Sequence, residues 1–389
     1  MALVGIYGFQ VLCPNRASDS VWVGLLFALE WHLVWAAGSG METLLFALLI
    51  LSVLIYLSKA KINWVSMGLL IGLAAWIRPD GITLVGPAFV ILLVKYKNRN
   101  HSIIAFTKLI LGLALLFLPY LLFNRLLAGS WWPNTFFAKQ AEYAELRLAP
   151  IWLRFWSQSL LVLIGVGVLL LPGYVLGIVT AIRYHRWSQI VGMIWFVGYL
   201  FIYAWRLPVT YQHGRYIIPA MPVYFLWSLI GIAGWVQLTS GNVWKRTLSK
   251  AWVISISVVL ILFWGLGIRA YALDVAVIES EMVKTAIWVS DNTPTGSLIA
   301  AHDIGALGFF GQRDLLDMAG LVSPEVVPFI RDELALEMYL NARGADFLVT
   351  FPGWYPYLVS KAKQVYTTDS VYSPMLNGEN MSVYRWLVP

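Results

Sequence analysis

Apolar residues run in long blocks from the amino end to about Ala270, and polar residues fall between the blocks rather than alternating within them. The blocks are Ser20–Ala37, Thr43–Leu57, Asn63–Ile77, Ile82–Val94, Ile103–Phe123, Ile151–Ile182, Ser188–Trp205, Tyr216–Leu238 and Ala251–Ala270. Each approaches the helix length that crosses ~30 Å of hydrocarbon. The pattern predicts an α-helical polytopic membrane domain of about nine spans over residues 1–271. Beyond it the period changes, and a small α/β domain is expected over residues 272–389. There, Asp274–Asn292 reads as a helix with Glu279, Glu281 and Lys284 outward, and Asp332–Ala342 as a second one. Ser297–Ala301, Asp346–Phe351 and Ser382–Leu387 read as short strands.

Composition agrees: 60% of the 389 residues are apolar, 12% are charged and the mean hydropathy is +0.73. Soluble domains carry about 25% charged residues, so a single water-soluble globule is excluded. Of the 27 basic residues 20 lie at or before Tyr271, with 6 of the 20 acidic ones, so a membrane part of +14 precedes a tail of −7. The basic residues concentrate in four connections: Lys59 and Lys61; Lys95, Lys97 and Arg99; Arg183 and Arg186; Lys245, Arg246 and Lys250. Positive charge marks cytoplasmic loops, so the pI of 9.3 reflects topology and not a nucleic-acid partner. These loops alternate along the chain, which puts Gly38–Glu42, Arg78–Gly81, Asn124–Pro150, Arg206–Arg215 and the acidic tail on the extracytoplasmic side. One cysteine, Cys13, excludes a disulfide framework or a thiolate metal cluster.

The amino end is short for a span. Residues 2–12 form a block of eleven, or ~17 Å of helix. It lacks the basic leader and small-residue cleavage site of a signal peptide, and is expected to be the last part of a span that began upstream.

Polar groups near the outer ends of the blocks are the candidate chemistry, because charge at membrane depth is costly and usually marks a site. In Ser39-Gly40-Met41-Glu42-Thr43, Glu42 reads either as part of a capping box with Ser39 or as a carboxylate facing a cavity. In Arg78-Pro79-Asp80-Gly81 the flanking blocks are short, so this turn lies beneath the outer surface with Arg78 and Asp80 partly buried; the plainer alternative is a turn with Asp80 as N-cap. Trp131-Trp132-Pro133-Asn134-Thr135-Phe136-Phe137-Ala138-Lys139 combines an interfacial aromatic belt with Asn134 and Lys139, which suit a phosphate or sugar hydroxyls. Arg215, in Tyr211-Gln212-His213-Gly214-Arg215-Tyr216, is a phosphate fork or an arginine snorkelling at a helix end. There is no HExxH, GxSxG or GxxxxGK[ST] pattern, which counts against zinc hydrolysis, serine esterase and ATP-driven pump chemistry. What remains suits a lipid-linked anionic substrate bearing a sugar.

These motifs, with Pro219 and Pro222 after Tyr216 and with His302-Asp303-Ile304-Gly305-Ala306-Leu307-Gly308-Phe309-Phe310 and Asp317-Met318-Ala319-Gly320-Leu321 in the tail, resemble bacterial polytopic glycosyltransferases of the GT-C superfamily. The resemblance runs from about Gly38 to the carboxyl end. It implies hexosyl or pentosyl transfer in the plasma (inner) membrane, from a polyprenyl-phosphate-linked donor to a lipid, glycan or protein acceptor outside the cytoplasm. A carboxylate acts as general base on the acceptor hydroxyl, and basic groups stabilise the departing phosphate. On that mapping Glu42 and Asp80 are the catalytic candidates, Arg78, Lys139 and Arg215 face the phosphate, and Asn134, His213 and Asp303 contact sugar or acceptor. No cofactor is implied with certainty and no metal ligands are assigned, although a divalent cation is compatible with the carboxylates. The superfamily carries its catalytic acid on the first extracytoplasmic loop, and residues 2–12 fall where the end of the second span would be, so the chain is expected to lack the first span and that loop.

Two other readings stand beside this one: a non-catalytic binding or accessory protein that keeps a lipid-sugar cavity, and a secondary transporter. The transporter would need an inverted repeat, which is not visible, although a helix break at Pro172-Gly173 is open. The loop assignment predicts that cysteines introduced as Lys61→Cys and Lys245→Cys react with an impermeant maleimide only from the cytoplasmic face; reaction from outside overturns it.

Overall fold

The computed structural model describes residues 1–238 and 243–387; the side chains of Gln237, Leu238 and Lys245 lie outside the described residues, and with them one cation of the last basic loop. The helices are α1 (Ala2–Leu12), α2 (Ser20–Leu29), α3 (Trp31–Gly38), α4 (Thr43–Tyr56), α5 (Trp64–Ile77), α6 (Val85–Lys95), α7 (Arg99–Ala128), α8 (Asn134–Glu142), α9 (Ile151–Leu163) and α10 (Val166–Arg183). They continue as α11 (Trp187–Arg206), α12 (Met221–Leu238), α13 (Val243–Val277), α14 (Lys284–Asn292), α15 (Gly305–Phe310) and α16 (Glu333–Arg343). The chain folds as two compact units. One comprises Met1–Asn124 with Glu145–Ile268, the other Arg125–Ala144 with Arg269–Pro389.

The first unit is helical. Among the described residues five helices of the chain are long and apolar enough to cross a membrane: Arg99–Ala128, Val166–Arg183, Trp187–Arg206, Tyr211–Val236 and Arg246–Asn292. The pair Pro14–Leu29 and Trp31–Gly38, bent by 53°, makes a sixth when taken as one span. The nine expected spans are therefore not all matched by full-length helices. The blocks at Thr43 and Asn63 give helices of 14 residues each, or ~21 Å. The block at Ile82 opens as a 3-10 turn, Pro79–Leu84, before the 11-residue α6.

The block Ile151–Ile182 is interrupted, but at Ile164 and Gly165, where an extended residue is followed by a glycine with φ 70°, and not at Pro172-Gly173. Pro172 lies inside α10, and Gly173 serves packing instead: a Cβ there would stand 2.5 Å from the carbonyl oxygen of Ser228. The partner glycine on α12 is tighter still, since a Cβ at Gly231 would lie 1.9 Å from Gly173 O. Small residues let helices approach closely in a membrane, where apolar burial alone does not drive association.

The second unit is a five-stranded mixed sheet in the order β2-β1-β3-β5-β4, with β1 Leu298–Ala301, β2 Asp314–Asp317, β3 Phe347–Thr350, β4 Ala362–Thr367 and β5 Ser382–Trp386. β2, β1 and β3 run parallel, while β5 is antiparallel to both β3 and β4. Strand residues alternate between two cores. Ala300, Leu348 and Tyr384 face Leu336 and Leu340 of α16, and Ile299, Ala301, Val349 and Val383 face Ala286 and Val289 of α14. The three expected strands are present and β2 and β4 are additional. The helix expected at Asp332 forms with Asp332 as its N-cap, accepting from the amides of Leu334 and Ala335 at 3.1 Å each, and ends at Gly344 with φ 71°.

The helix expected from Asp274 is continuous with α13 through a π turn, Ile278–Val283. It departs from expectation at Glu281, which points inward and is 0% exposed. Its carboxylate accepts from the Met381 amide at 2.8 Å, from Asn380 Nδ2 at 3.1 Å and from the Thr368 hydroxyl. The π turn rotates that side chain onto the β4–β5 hairpin, where polar donors replace water.

The glycine contact between α10 and α12 yields a prediction. Gly231→Val is expected to cost at least ~2 kcal/mol, because the added atoms meet backbone that cannot move aside. Thermal melting of the purified protein in detergent measures this, and an unchanged midpoint would overturn the close contact.

Candidate functional site

Arg78 is the centre of the polar cluster in the helical unit. It ends α5 in an extended conformation, and the turn after it folds back so closely that a Cβ at Gly81 would lie 2.4 Å from the carbonyl carbon of Ala74. That turn buries the guanidinium, with only 7% of the residue exposed. A buried charge requires partners. Arg78 Nε and Nη2 meet Asp80 Oδ2 at 3.2 and 3.1 Å, Nη2 also donates to the Tyr203 hydroxyl at 2.7 Å, and Nη1 lies 3.7 Å from Glu42 Oε1. Asp80 Oδ2 additionally accepts from Tyr199 at 3.1 Å and from Tyr203. The rings of Phe46 and Tyr216 lie 5.5 and 5.2 Å from the guanidinium carbon.

Glu42 differs from Asp80. It occupies the N-cap position of α4 but caps nothing; Ser39 Oγ donates instead to Ala36 O, at 2.9 Å. The Glu42 side chain is 51% exposed and retains one long ion pair. Of the two readings of the Ser39–Thr43 motif, the capping box is thus not formed.

Arg215 borders this cluster. Its guanidinium carbon lies 4.8 Å from the Tyr216 ring and 5.4 Å from the Tyr211 ring. Nη2 donates to Tyr216 OH at 2.9 Å and Nη1 to Gln212 Oε1 at 2.8 Å. Tyr216 also stacks on Tyr203, with centroids 5.6 Å apart and planes at 26°. His213 stands edge-on to Trp31 and Trp35.

On another side of α11 lies an apolar groove of about 740 Å³ between α9, α10 and α11, lined by Phe155, Ile178, Met193, Val197 and Phe201 among others. Val197 and Phe201 are each two residues from Tyr199, about 200° around the helix, so one helix carries the polar cluster and the groove on separate faces.

The second unit holds its own cluster. Glu142, the last residue of α8, is buried and accepts from Lys139 Nζ at 2.7 Å and from His302 Nε2 at 3.0 Å, with Arg331 Nη2 at 3.8 Å. His302 Nδ1 meets the Tyr355 hydroxyl at 2.6 Å. Burial pushes the Glu142 carboxyl up, but the bonds from His302 and Lys139 outweigh it and hold the group at about 2. Burial raises the Tyr355 phenol. Asp317, at the end of β2, accepts from the amides of Ala319, Val322 and Ser323 at 2.8, 2.7 and 3.3 Å, so its motif serves as a loop clasp.

Three comparisons bear on this arrangement. Residues 271–384 match the family described as "Domain of unknown function (DUF8728)". No curated protein matches the chain. The crystal structure of ArnT from Cupriavidus metallidurans in the apo state is similar with a TM-score of 0.54 and 14% identity, over 98% of this chain and 81% of that one. The chain shares the fold of that structure.

The candidate residues fall in two groups. Glu42, Arg78, Asp80, His213 and Arg215 belong to the helical unit, whereas Asn134, Lys139 and Asp303 belong to the second. Lys139 is engaged by Glu142. Asn134 opens α8, and Asp303 Oδ1 accepts from the Gly305 amide at 3.4 Å in a local turn. The cluster also brings in Tyr199 and Tyr203, one turn apart on α11, which in the sequence are part of an apolar block. Glu142, His302 and Tyr355 were likewise missed as a group, since no local spacing connects them. A divalent cation does not fit beside the two carboxylates, because the Arg78 guanidinium already lies between Glu42 and Asp80. Among the described residues no three His, Cys, Asp or Glu side chains converge as metal ligands.

Glu142 sets a pH dependence. Its folded-state pKa lies below the ordinary carboxyl value of 4.5, so its stabilising contribution is fully present above about pH 5 and is lost as pH falls toward 2. A shift of this size corresponds to roughly 3 kcal/mol. Melting temperature is expected to fall more steeply between pH 5 and pH 3 in the wild type than in Glu142→Gln; parallel curves would refute the assignment.

Proposed function

We propose that the protein is an integral membrane glycosyltransferase that moves a sugar from a polyprenyl-phosphate donor to a lipid, glycan or protein acceptor outside the cytoplasm. The observation that carries this reading is the convergence of Glu42, Arg78–Asp80 and Arg215 around Tyr216 in a protein with the GT-C fold. The likeness to ArnT supports the reading through fold alone; the polyprenyl-phosphate donor and the acceptor are what the resemblance of the sequence motifs implies, and the cluster supplies charges that suit an anionic, sugar-bearing lipid.

The roles follow from how far each group is already committed. Asp80 Oδ2 accepts from one guanidinium and two phenols, so its task is to hold Arg78 in place. Glu42, half in solvent with a single long ion pair, has capacity to accept the proton of an acceptor hydroxyl. As that oxygen bonds to the sugar C1, the bond from C1 to the phosphate oxygen breaks and negative charge grows on the phosphate. Arg215, backed by two tyrosine rings, supplies the opposing charge.

Donor binding without turnover is a second reading, favoured by one observation: the buried ion pair at the centre of the cluster is complete without a substrate. Reconstitution in liposomes with a sugar-labelled polyprenyl phosphate and an envelope extract as acceptor separates the two. Release of free polyprenyl phosphate that depends on the extract is expected, with Glu42→Gln lowering the rate by about 100-fold or more. Binding without release supports the second reading, and absence of binding overturns both.

A further inference from the structure

Three successive residues, Gln212, His213 and Gly214, occupy the left-handed region, with φ of 50°, 56° and 77°. Glycine tolerates this conformation, but two bulkier residues in a row hold it only where their surroundings enforce it. The enforcing contacts are visible on both sides. The His213 ring packs T-shaped against two indoles, with centroids 5.2 Å from Trp31 at 77° and 5.0 Å from Trp35 at 76°. Gly214 rests on Leu161, where a Cβ would come within 2.8 Å of Cδ1.

The two tryptophans are themselves fixed. They lie four residues apart on one face of α3, and both are buried. The start of that helix is pinned by Glu30, which accepts from the Leu33 amide at 3.1 Å and meets His32 Nδ1 at 2.7 Å, with both side chains 0% exposed. Directly after the turn comes Arg215, whose two terminal nitrogens are directed by Gln212, itself one of the strained pair, and by Tyr216. A change in the backbone at His213 therefore swings the Arg215 side chain and the acceptor that orients it together.

We propose that His213, clamped by Trp31 and Trp35, is a positioning residue that holds the left-handed turn and so aims the Arg215 guanidinium at the anionic group of the ligand. This assigns His213 a role inside the protein instead of on a sugar, and it rests on the reading of Arg215 as the phosphate contact.

Calorimetric titration of the purified full chain in detergent with farnesyl monophosphate tests the proposal. Arg215→Ala is expected to weaken binding; if it does not, the phosphate assignment fails and the proposal falls with it. Given that loss, His213→Ala is expected to weaken binding about tenfold, while His213→Phe, which keeps a flat ring in the clamp, stays near wild type. In the Arg215→Ala background, His213→Ala should add nothing, because it acts through the arginine. Equal losses for His213→Phe and His213→Ala would mean that the imidazole itself touches the ligand, and additive losses would mean that it acts independently; either overturns the proposal while leaving Arg215 in its role. Should His213→Ala not yield monodisperse protein, Trp35→Ala removes the other wall of the clamp and carries the same comparison.

Discussion

A guanidinium withdrawn from water needs a fixed set of acceptors, and the helical unit is arranged around meeting that need at Arg78. Asp80 lies two residues on in the same turn, and the other partners come from distant parts of the chain: Glu42 at the start of α4, Tyr203 on α11, and the rings of Phe46 and Tyr216. Removing any one leaves a buried charge short of compensation, a larger loss than an exposed pair would suffer. The ion pair thus fixes the ends of several helices in one arrangement. The shortness of α5, which stops where Arg78 begins, is part of the same constraint.

Much of this was visible before any coordinates. Charged residues inside apolar sequence stand out, which is why Glu42, Arg78, Asp80 and Arg215 draw attention, as does the change of period after Tyr271; that Arg125–Ala144 belongs to the same compact unit as the sheet has no local mark in the sequence. Tyr199 and Tyr203 do not stand out, because tyrosine is as common in an interfacial belt as in a buried network. Glu281 looked like a surface residue on a helix face; only the π turn, which sequence does not mark, turns it inward. The break in the Ile151–Ile182 block shows the limit of local rules. Proline is accommodated inside α10, while the break falls at Ile164 and Gly165, where an extended residue is followed by a glycine with φ 70°.

The two units treat polar groups differently. In the helical unit, buried charged side chains are gathered into compact sets, the cluster around Arg78 and Arg215 and the Glu30–His32 pair, with apolar surface such as the groove beside α11 elsewhere. In the sheet unit, polar contacts are spread through loops and caps: Asp317 clasps a turn, Asp332 starts a helix, and Glu281 ties the long helix to the last hairpin. That division follows from solvent. Backbone groups near water can be satisfied in many ways, whereas a charge among apolar helices has few solutions and they must be assembled together.

The bond between His302 and Glu142 joins residues 160 positions apart. At a synthesis rate of about 5–20 residues per second, roughly ten to thirty seconds separate their emergence from the ribosome. During that interval Glu142 and Lys139 exist without the sheet that buries them, so the loop carrying α8 cannot reach its final form while the following helices are being inserted. The order of assembly is therefore written into the connectivity: this segment waits for residues of the sheet unit that are made much later.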